Sequence, residues 1–252
     1  MLAQEVVAKY PGQVTFVSEN FGASKLAEQF GIKRYPAVFV DDVLIAKPRD
    51  FGFFGDGENS GRYTPWKDPQ NHQKFQKDLT RMIDLILSGK KEQAAKEYGT
   101  KEGPEEIQSL PNFSLTDLAG NPLTPDQVAG RVVVVEFWAT WCPPCRSTLE
   151  WLASLRGKYG DNLAVLALNV ESPEDDVRKM VGGMSQSLRW AITTPEVARA
   201  FGDIVAVPTL FLFDQQGKTA GVWYGAAPEL HEQVEEKIGH LSKQAKVAAS
   251  LK

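Results

Sequence analysis

The chain has 252 residues, of which 42% are hydrophobic and 24% charged, as expected for one large globular domain or two ordinary ones. Its formal net charge of −4 argues against nucleic-acid binding as a main function. No apolar stretch approaches the length of a membrane span, so we expect no transmembrane segment in this sequence.

Helices and strands alternate in the first fifty residues. The pattern predicts helices at 2–10 and 24–30 and strands at 13–17, 37–40 and 43–46. Ser24 is in position to cap the second helix, and Asp41-Asp42 marks a tight turn between the last two strands. The region therefore predicts a small α/β domain over residues 1–89.

Five aromatic residues and four glycines alternate irregularly from Phe51 to Trp66, which no periodic structure would produce. This loop is either a binding surface for a partner or a cluster of rings that folds back onto the first domain. An amphipathic helix follows at Asp68–Leu87; its predicted inward face consists of Phe75, Leu79, Met82, Ile83, Ile86 and Leu87. Residues 90–109 are charged and contain Gly103-Pro104, which is typical of a linker.

A second α/β domain is predicted over residues 110–252. It begins with a hairpin at 113–123 and a helical turn at 126–129. Further strands are predicted at 163–170, 209–213 and 219–224, an edge strand or loop at 189–193, and helices at 195–201 and 229–241. Ser172 is expected to be the N-cap of a helix that begins with acidic residues.

A run of apolar residues from Val132 to Trp138 predicts the central buried strand of this domain, and it stops just before Cys142-Pro-Pro-Cys145. The prolines stand where a helix starts and a missing N–H does no harm. The two cysteines, the only ones in the sequence, therefore lie at the carboxyl end of a central strand. In an open α/β sheet this edge is the usual place for a functional site.

The spacing of Cys142 and Cys145 favours dithiol chemistry. Residues three apart share a helix face, so the two sulfurs can form a disulfide without backbone movement. The N–H groups at the helix N-terminus favour a thiolate at Cys142, which lowers its pKa, whereas Cys145 should be more buried and less acidic. Cys142 is thus predicted to be the nucleophile and Cys145 the resolving thiol.

Three less reactive roles are the alternatives for the cysteine pair: a structural disulfide, half of a zinc site, and inert thiols. A bridge across two residues removes little chain entropy. Zinc needs about four ligands, and the remaining candidates, His72, His231 and His240, lack ligand spacing. We therefore expect a redox-active disulfide, with no metal and no other cofactor.

The segment Phe137-Trp-Ala-Thr-Trp-Cys-Pro-Pro-Cys145 resembles the active site of thioredoxin-like proteins, specifically the TlpA/ResA-like extracytoplasmic thiol-disulfide oxidoreductases. The resemblance covers about Leu110 to Leu241. It implies an α/β thioredoxin-like fold, in which helices flank a central mixed β-sheet. The activity it implies is disulfide exchange with protein thiols and disulfides, with an upstream redox partner that resets the pair.

The resemblance also assigns supporting residues. Pro208 should be the cis-proline that faces the cysteines and exposes the backbone of Val207 to a substrate strand. Glu136, six residues before Cys142, matches a buried carboxylate that carries a proton to or from Cys145. The alternative for Glu136 is an acid at a strand end that reaches water.

Contact with a substrate is expected from Trp141, Pro143 and Pro144 as well as from Val207, and Trp138 should add to an apolar rim around the cysteines. One position departs from the family pattern. ResA-like members often have a Glu three residues after the second cysteine, where this chain has Thr148. The departure weakens an assignment to the subgroup that acts in cytochrome maturation.

An internal repeat suggests that the scaffold occurs twice. Residues 27–41 align with residues 198–214, and Pro36 would correspond to Pro208. Chance similarity between two helix–turn–strand segments is the alternative. The predicted first copy has no cysteine and lacks an opening strand, so either Met1 is not the true start or the domain tolerates this loss.

Two other functions remain open beside the oxidoreductase. A redoxin-type peroxidase would have a Thr-x-x-Cys site, but Thr140 is two residues before Cys142. A client-binding or adaptor protein would depend on the first domain and the aromatic loop. The resemblance implies an extracytoplasmic or periplasmic location, but the visible N-terminus has no signal-peptide pattern, which leaves a cytoplasmic location as the alternative.

Overall fold

The computed structural model describes residues 2–20, 24–32, 35–51, 62–63, 68–99, 107–202, 204 and 206–250, without the side chains of 49 and 244–250. The chain forms two compact units, Met1–Pro104 and Glu105–Lys252. Within the described ranges, no helix combines the length and the apolar character needed to cross a membrane.

The described part of the first unit contains helices and one antiparallel hairpin. The helices are α1 (Leu2–Val7), α2 (Lys25–Gln29), α3 (Pro48–Phe51), α4 (Pro69–Leu87) and α5 (Lys91–Tyr98), and the hairpin joins β1 (Val38–Val40) to β2 (Val43–Ala46). As predicted, the Ser24 side chain accepts a hydrogen bond from the Ala27 N–H at the start of α2. Asp41 turns the hairpin with a φ of 55°.

The core of the first unit joins the hairpin to α4. The Tyr63 and Phe75 rings meet edge to face with centroids 5.1 Å apart, and Phe51 lies 6.0 Å from Phe75. Two rings of the aromatic loop therefore fold back onto this core, as one of the two alternatives predicted. Residues 52–61 and 64–67 of that loop lie outside the described residues.

Three local predictions for the first unit were wrong. Residues 14–20 form no strand, and Val17 is 59% exposed, because β-branched residues form a strand only where a pleated neighbour covers them. Helix α1 ends at Val7 and not at Tyr10. On α4, Leu85 is buried and Leu87 is 46% exposed, since the last turn extends past the core.

The expected linker at 90–109 is partly a helix. Ala94 of α5 is fully buried, and α5 packs against α4 and β2. Lys91 also forms ion pairs with both acids of the hairpin turn at 2.7 and 2.6 Å. One small apolar residue and one ion-pairing lysine thus hold this charged segment on the first unit, while residues 100–106 lie outside the described part.

A mixed sheet forms the centre of the second unit. Its strands in the described residues are β5 (Val132–Trp138), β6 (Leu163–Asn169), β7 (Arg189–Ile192), β8 (Thr209–Phe213) and β9 (Thr219–Tyr224), in the order β7-β6-β5-β8-β9. Strands β5, β6 and β7 are parallel, and β8 and β9 run antiparallel to their neighbours. The predicted thioredoxin-like architecture of this unit is confirmed.

Helices cover the sheet, and a short hairpin precedes it. The helices are α6 (Pro143–Tyr159), α7 (Glu174–Val181), α8 (Pro195–Ala200) and α9 (Leu230–Ser250), and the hairpin consists of β3 (Leu115–Thr116) and β4 (Pro122–Leu123). Val132, Val134 and Trp138 of β5 pack with residues of α6, α7 and α9. On the opposite face, the Phe137 ring contacts those of Phe201 and Phe211.

Whether the first unit is a second copy of the thioredoxin scaffold stays a prediction. In its described residues the β-structure is the hairpin of β1 and β2, and no larger sheet is formed. The helix–turn–strand segment that repeats in sequence does recur locally, since α2 precedes β1 as α8 precedes β8. This local order is shared by many α/β proteins.

Asp117 ties the leading hairpin to edge strand β7. Its buried carboxylate accepts hydrogen bonds from the N–H groups of Ala119 and Asn121 and forms an ion pair with Arg189 at 2.7 Å. Desolvation raises the pKa of Asp117, but the bonds from Asn121 and the Arg189 guanidinium outweigh it and hold the pKa below its ordinary value.

We expect Asp117→Asn to lower the free energy of unfolding by about 2 kcal/mol at neutral pH, because a charge-assisted buried contact is lost. The folded-state pKa is the lower one, so this contribution is full above the unfolded-state pKa and disappears as the pH falls through the folded-state pKa. Urea unfolding at neutral and acidic pH tests this. The difference from the wild type should shrink in acid, and the exposed Asp126→Asn should show neither effect; a constant difference would refute the explanation.

Candidate active site

The buried strand β5 leads directly into the cysteine pair. All seven of its residues are buried, and the chain then turns through Ala139, Thr140 and Trp141 to Cys142, the N-cap of α6. Pro143 is the first residue of that helix, where its fixed φ suits the helix and its missing N–H has no partner to lose. The sequence therefore places the cysteines at the carboxyl end of the central strand, as predicted.

The cysteines are joined in a disulfide with their Cα atoms 5.4 Å apart. The Cys142 Sγ also accepts a hydrogen bond from the Cys145 N–H at 3.3 Å, so this sulfur stands at the unpaired end of the helix backbone. Cys142 is 5% exposed and Cys145 is fully buried. The outer and inner positions predicted for the two sulfurs are confirmed.

Glu136 is enclosed in the core behind the cysteines. Its neighbours on β6 and β8 are Ala167 and Leu210, and by alternation it shares a sheet face with Trp138, which packs with both cysteines. The side chain is 0% exposed, and neither carboxyl oxygen has a hydrogen-bond partner among the described residues. The alternative of an acid that reaches water is therefore wrong.

Burial raises the pKa of Glu136 well above its ordinary value, because no partner offsets the loss of hydration of the charged form. A carboxyl group with this environment holds its proton to a higher pH than an exposed glutamate. It is consequently suited to exchange a proton with a thiol, whose own pKa lies above the ordinary range of carboxyl groups.

Pro208 lies beside the end of β5. Thr209 is opposite Phe137 in the β8–β5 ladder, which puts Pro208 at the level of Trp138, where the active-site turn begins. The Val207–Pro208 peptide bond is cis, as predicted. Val207 packs against the core cluster that contains both cysteines, and its peptide N–H and C=O have no hydrogen bond to the described residues.

The surface around the cysteines is apolar on one side. Trp141 is 56% exposed, and its indole N–H donates to the Glu171 carbonyl at 3.1 Å, which fixes the ring orientation. Pro143 and Pro144 are exposed next to it. Trp138 is not part of this rim: it is buried and contacts the Trp190 ring edge to face, because its position in β5 directs it under the helices.

Ser172 has a different role from the predicted one. The N-cap of α7 is Pro173 and not Ser172. The Ser172 hydroxyl oxygen instead accepts a hydrogen bond from the Thr140 N–H in the active-site turn at 3.0 Å. The sequence signal favoured the wrong residue, because a proline often occupies the first helical position after the cap, whereas here Pro173 is itself the cap. The spatial closeness of Thr140 and Ser172 comes from parallel pairing of β5 and β6.

All residues predicted for the site lie at one end of the sheet. β5 carries Glu136, α6 begins with the cysteines and prolines, and the segment before β8 supplies Val207 and Pro208. Thr148, where relatives often have Glu, is buried in α6, and its hydroxyl donates to the Pro144 carbonyl at 3.0 Å. The helix therefore uses this position for an internal hydrogen bond.

Comparison with known proteins gives a consistent family. The AhpC/TSA family matches residues 107–221. The thioredoxin-like protein YneN of Bacillus subtilis is 31% identical over 147 residues, which is 56% of this chain and 84% of that protein. The thiol-disulfide oxidoreductase ResA of Bacillus thuringiensis subsp. konkukian is 32% identical over 144 residues, which is 56% of this chain and 82% of that protein.

A solved structure supports the same family. The crystal structure of a Chlorobium tepidum chain described as a thiol:disulfide interchange protein DsbE matches with a TM-score of 0.50 and 27% identity. The match covers 56% of this chain and 99% of that one.

The isolation of Glu136 gives a test of its environment. We expect Glu136→Leu to raise the free energy of unfolding by about 1–3 kcal/mol, since an apolar side chain replaces a buried polar group without partners. The folded-state pKa of Glu136 is the higher one, so the wild type loses stability as the pH rises from the unfolded-state pKa toward the folded-state pKa, and the advantage of the variant grows over that range.

Urea unfolding of the oxidised proteins at several pH values measures this difference. Glu136→Gln is the matched control, because it keeps the polar group but cannot ionise. Its stability relative to the wild type should rise with pH by the same amount as that of Glu136→Leu, but its gain in free energy of unfolding at any one pH should be smaller. A Glu136→Leu protein that is less stable than the wild type at every pH would contradict the account.

Proposed function

Because this chain belongs to the thioredoxin-like AhpC/TSA redoxins, as a thiol-disulfide oxidoreductase of the ResA/DsbE kind, we propose that Cys142 and Cys145 exchange disulfides with protein substrates. The observation that carries the proposal is the place of the Cys142 sulfur at the N-terminus of α6, where it accepts the Cys145 N–H. That place favours a thiolate, the reactive form of a thiol in disulfide exchange.

The exchange proceeds in two steps in the direction of substrate reduction. The Cys142 thiolate attacks one sulfur of a substrate disulfide; a new S–S bond forms, and the other substrate sulfur leaves as a thiolate that takes up a proton. Cys145 then loses its proton and attacks the Cys142 sulfur, which releases the second substrate thiol. Two electrons pass to the substrate, and the pair ends as a disulfide.

The same steps in reverse oxidise a substrate dithiol. Which direction operates depends on the reduction potential of the pair relative to the thiols around it. In either direction a second thiol or disulfide protein must return the pair to its starting state.

Glu136 is the group we assign to proton transfer at Cys145. In the second step Cys145 must lose a proton inside the core, where water has little access. Glu136 can accept this proton once its own has left, because a raised pKa makes its carboxylate the stronger base. Neither carboxyl oxygen has a hydrogen-bond partner in the part of the chain that the structure describes, so both are available to a thiol.

Substrate contact is assigned to the edge formed by Val207 and the apolar rim of Trp141, Pro143 and Pro144. The peptide groups of Val207 can pair with an extended substrate segment, because their hydrogen bonds are unused by the described residues. Backbone pairing is independent of the substrate sequence. The exposed Trp141 ring adds apolar contact, so the surface suits an extended or partly unfolded polypeptide.

Replacement of Cys142 by Ser should abolish the catalysed reduction of insulin by dithiothreitol, because no thiolate can begin the exchange. Cys145→Ser should also fail to turn over, but it should accumulate a mixed disulfide with the substrate through Cys142, since the resolving thiol is missing. Turbidity of reduced insulin and non-reducing gel electrophoresis measure the two effects.

The Ser154→Ala protein, changed at an exposed position of the same helix, should retain full activity. Unchanged insulin reduction by Cys142→Ser would overturn the proposal. Peroxide consumption by the wild type with no insulin reduction would favour a peroxidase instead.

A further inference from the structure

The active-site turn is hydrogen-bonded to the end of β6 and to the segment that follows it, through bonds that involve no cysteine. The Ser172 hydroxyl oxygen accepts the Thr140 N–H at 3.0 Å. The Asn169 side-chain N–H₂ donates to the Trp138 carbonyl and to the Ser172 hydroxyl oxygen, both at 3.3 Å. We call Asn169 and Ser172 the polar clamp, because together they hold the start of the three-residue turn at Trp138 and its middle residue, Thr140.

The clamp is itself fixed. Asn169 is the last residue of β6, lies opposite Trp138 in the parallel ladder, and is 1% exposed. The Ser172 hydroxyl donates to the Val170 carbonyl at 3.2 Å, and the Val170 N–H donates to the Trp138 carbonyl at 2.8 Å. The clamp therefore fixes the position of the turn relative to the sheet.

The turn decides where the Cys142 sulfur stands. The Cys142 N–H donates to the Ala139 carbonyl at 3.2 Å, so the turn closes on itself immediately before α6. Of the peptide N–H groups inside it, that of Thr140 is satisfied by a side chain, Ser172. Without the Ser172 hydroxyl this N–H loses its hydrogen-bond partner. The turn can then adopt other conformations, in which the Cys142 sulfur lies away from the helix N-terminus.

We propose that Asn169 and Ser172 are positioning residues that keep Cys142 in its reactive place at the N-terminus of α6 and thereby set the reactivity of the reduced pair. The inference rests on the proposed function, because it concerns the same nucleophile. Neither side chain has a hydrogen bond to a sulfur atom among the described residues; both act through the backbone of the turn.

The test compares Ser172→Ala and Ser172→Thr in the full chain, in reduced form and at one fixed pH. Ser172→Ala should lower the rate constant for alkylation of Cys142 by iodoacetamide about three- to fivefold, the ratio that corresponds to one typical net hydrogen bond. Its equilibrium constant with glutathione should shift toward the disulfide by a similar factor. Ser172→Thr keeps the hydroxyl and should restore both values.

The matched control is Ser154→Ala, which removes an exposed hydroxyl that bonds within α6, to the Trp151 carbonyl. It should leave both values unchanged. Hydrogen exchange at the Thr140 amide should accelerate in Ser172→Ala alone, which separates a local loosening of the turn from a general loss of stability.

Wild-type values in Ser172→Ala for alkylation and for the glutathione equilibrium would overturn the inference, and so would a Ser172→Thr protein that behaves like Ser172→Ala. The proposed function has a separate readout, because insulin reduction by the wild type would persist in either case. Absence of wild-type insulin reduction would instead contradict the function and not the clamp.

Discussion

The reactivity proposed for the second unit rests on one hydrogen bond, from the Cys145 N–H to the Cys142 sulfur at the start of α6. The bond exists because a fully buried strand, β5, delivers the chain to a helix whose first residues are prolines. The strand fixes where the helix begins, and the helix gives the sulfur a partial positive environment. The junction of β5 and α6 therefore holds one sulfur at one helix end.

The core next to this sulfur includes an acid that lowers stability. Glu136 lies between Ala167 and Leu210 in the ladders and has no hydrogen-bond partner among the described residues. An apolar residue at this position would pack without the cost of burying a polar group. A contribution to protein stability therefore does not explain the presence of Glu136. Proton exchange with the inner thiol is the role we propose for this acid, and strained or unsatisfied groups are commonly found at functional sites.

The site was largely predictable from sequence, because its parts have strong local signals: an apolar run for β5, two cysteines with prolines for the helix start, and a proline before β8. The roles of Ser172 and Leu87 were not, since they depend on which element lies opposite. The predicted strand at 13–17 failed for the same reason, because strand formation requires a partner that local sequence does not specify. Helix α5 was not predicted because its sequence is mostly charged or polar. A buried alanine, Ala94, and an ion pair of Lys91 hold it against the first unit.

The central claim is that Cys142 is the reactive thiol and Cys145 the inner one. The most direct measurement is brief exposure of the fully reduced protein to iodoacetamide at neutral pH, followed by mass spectrometry of the peptides that contain each cysteine. The account predicts alkylation at Cys142 with Cys145 left unmodified, because only the first sulfur stands at the helix end. Equal modification of both cysteines, or faster modification of Cys145, would contradict it.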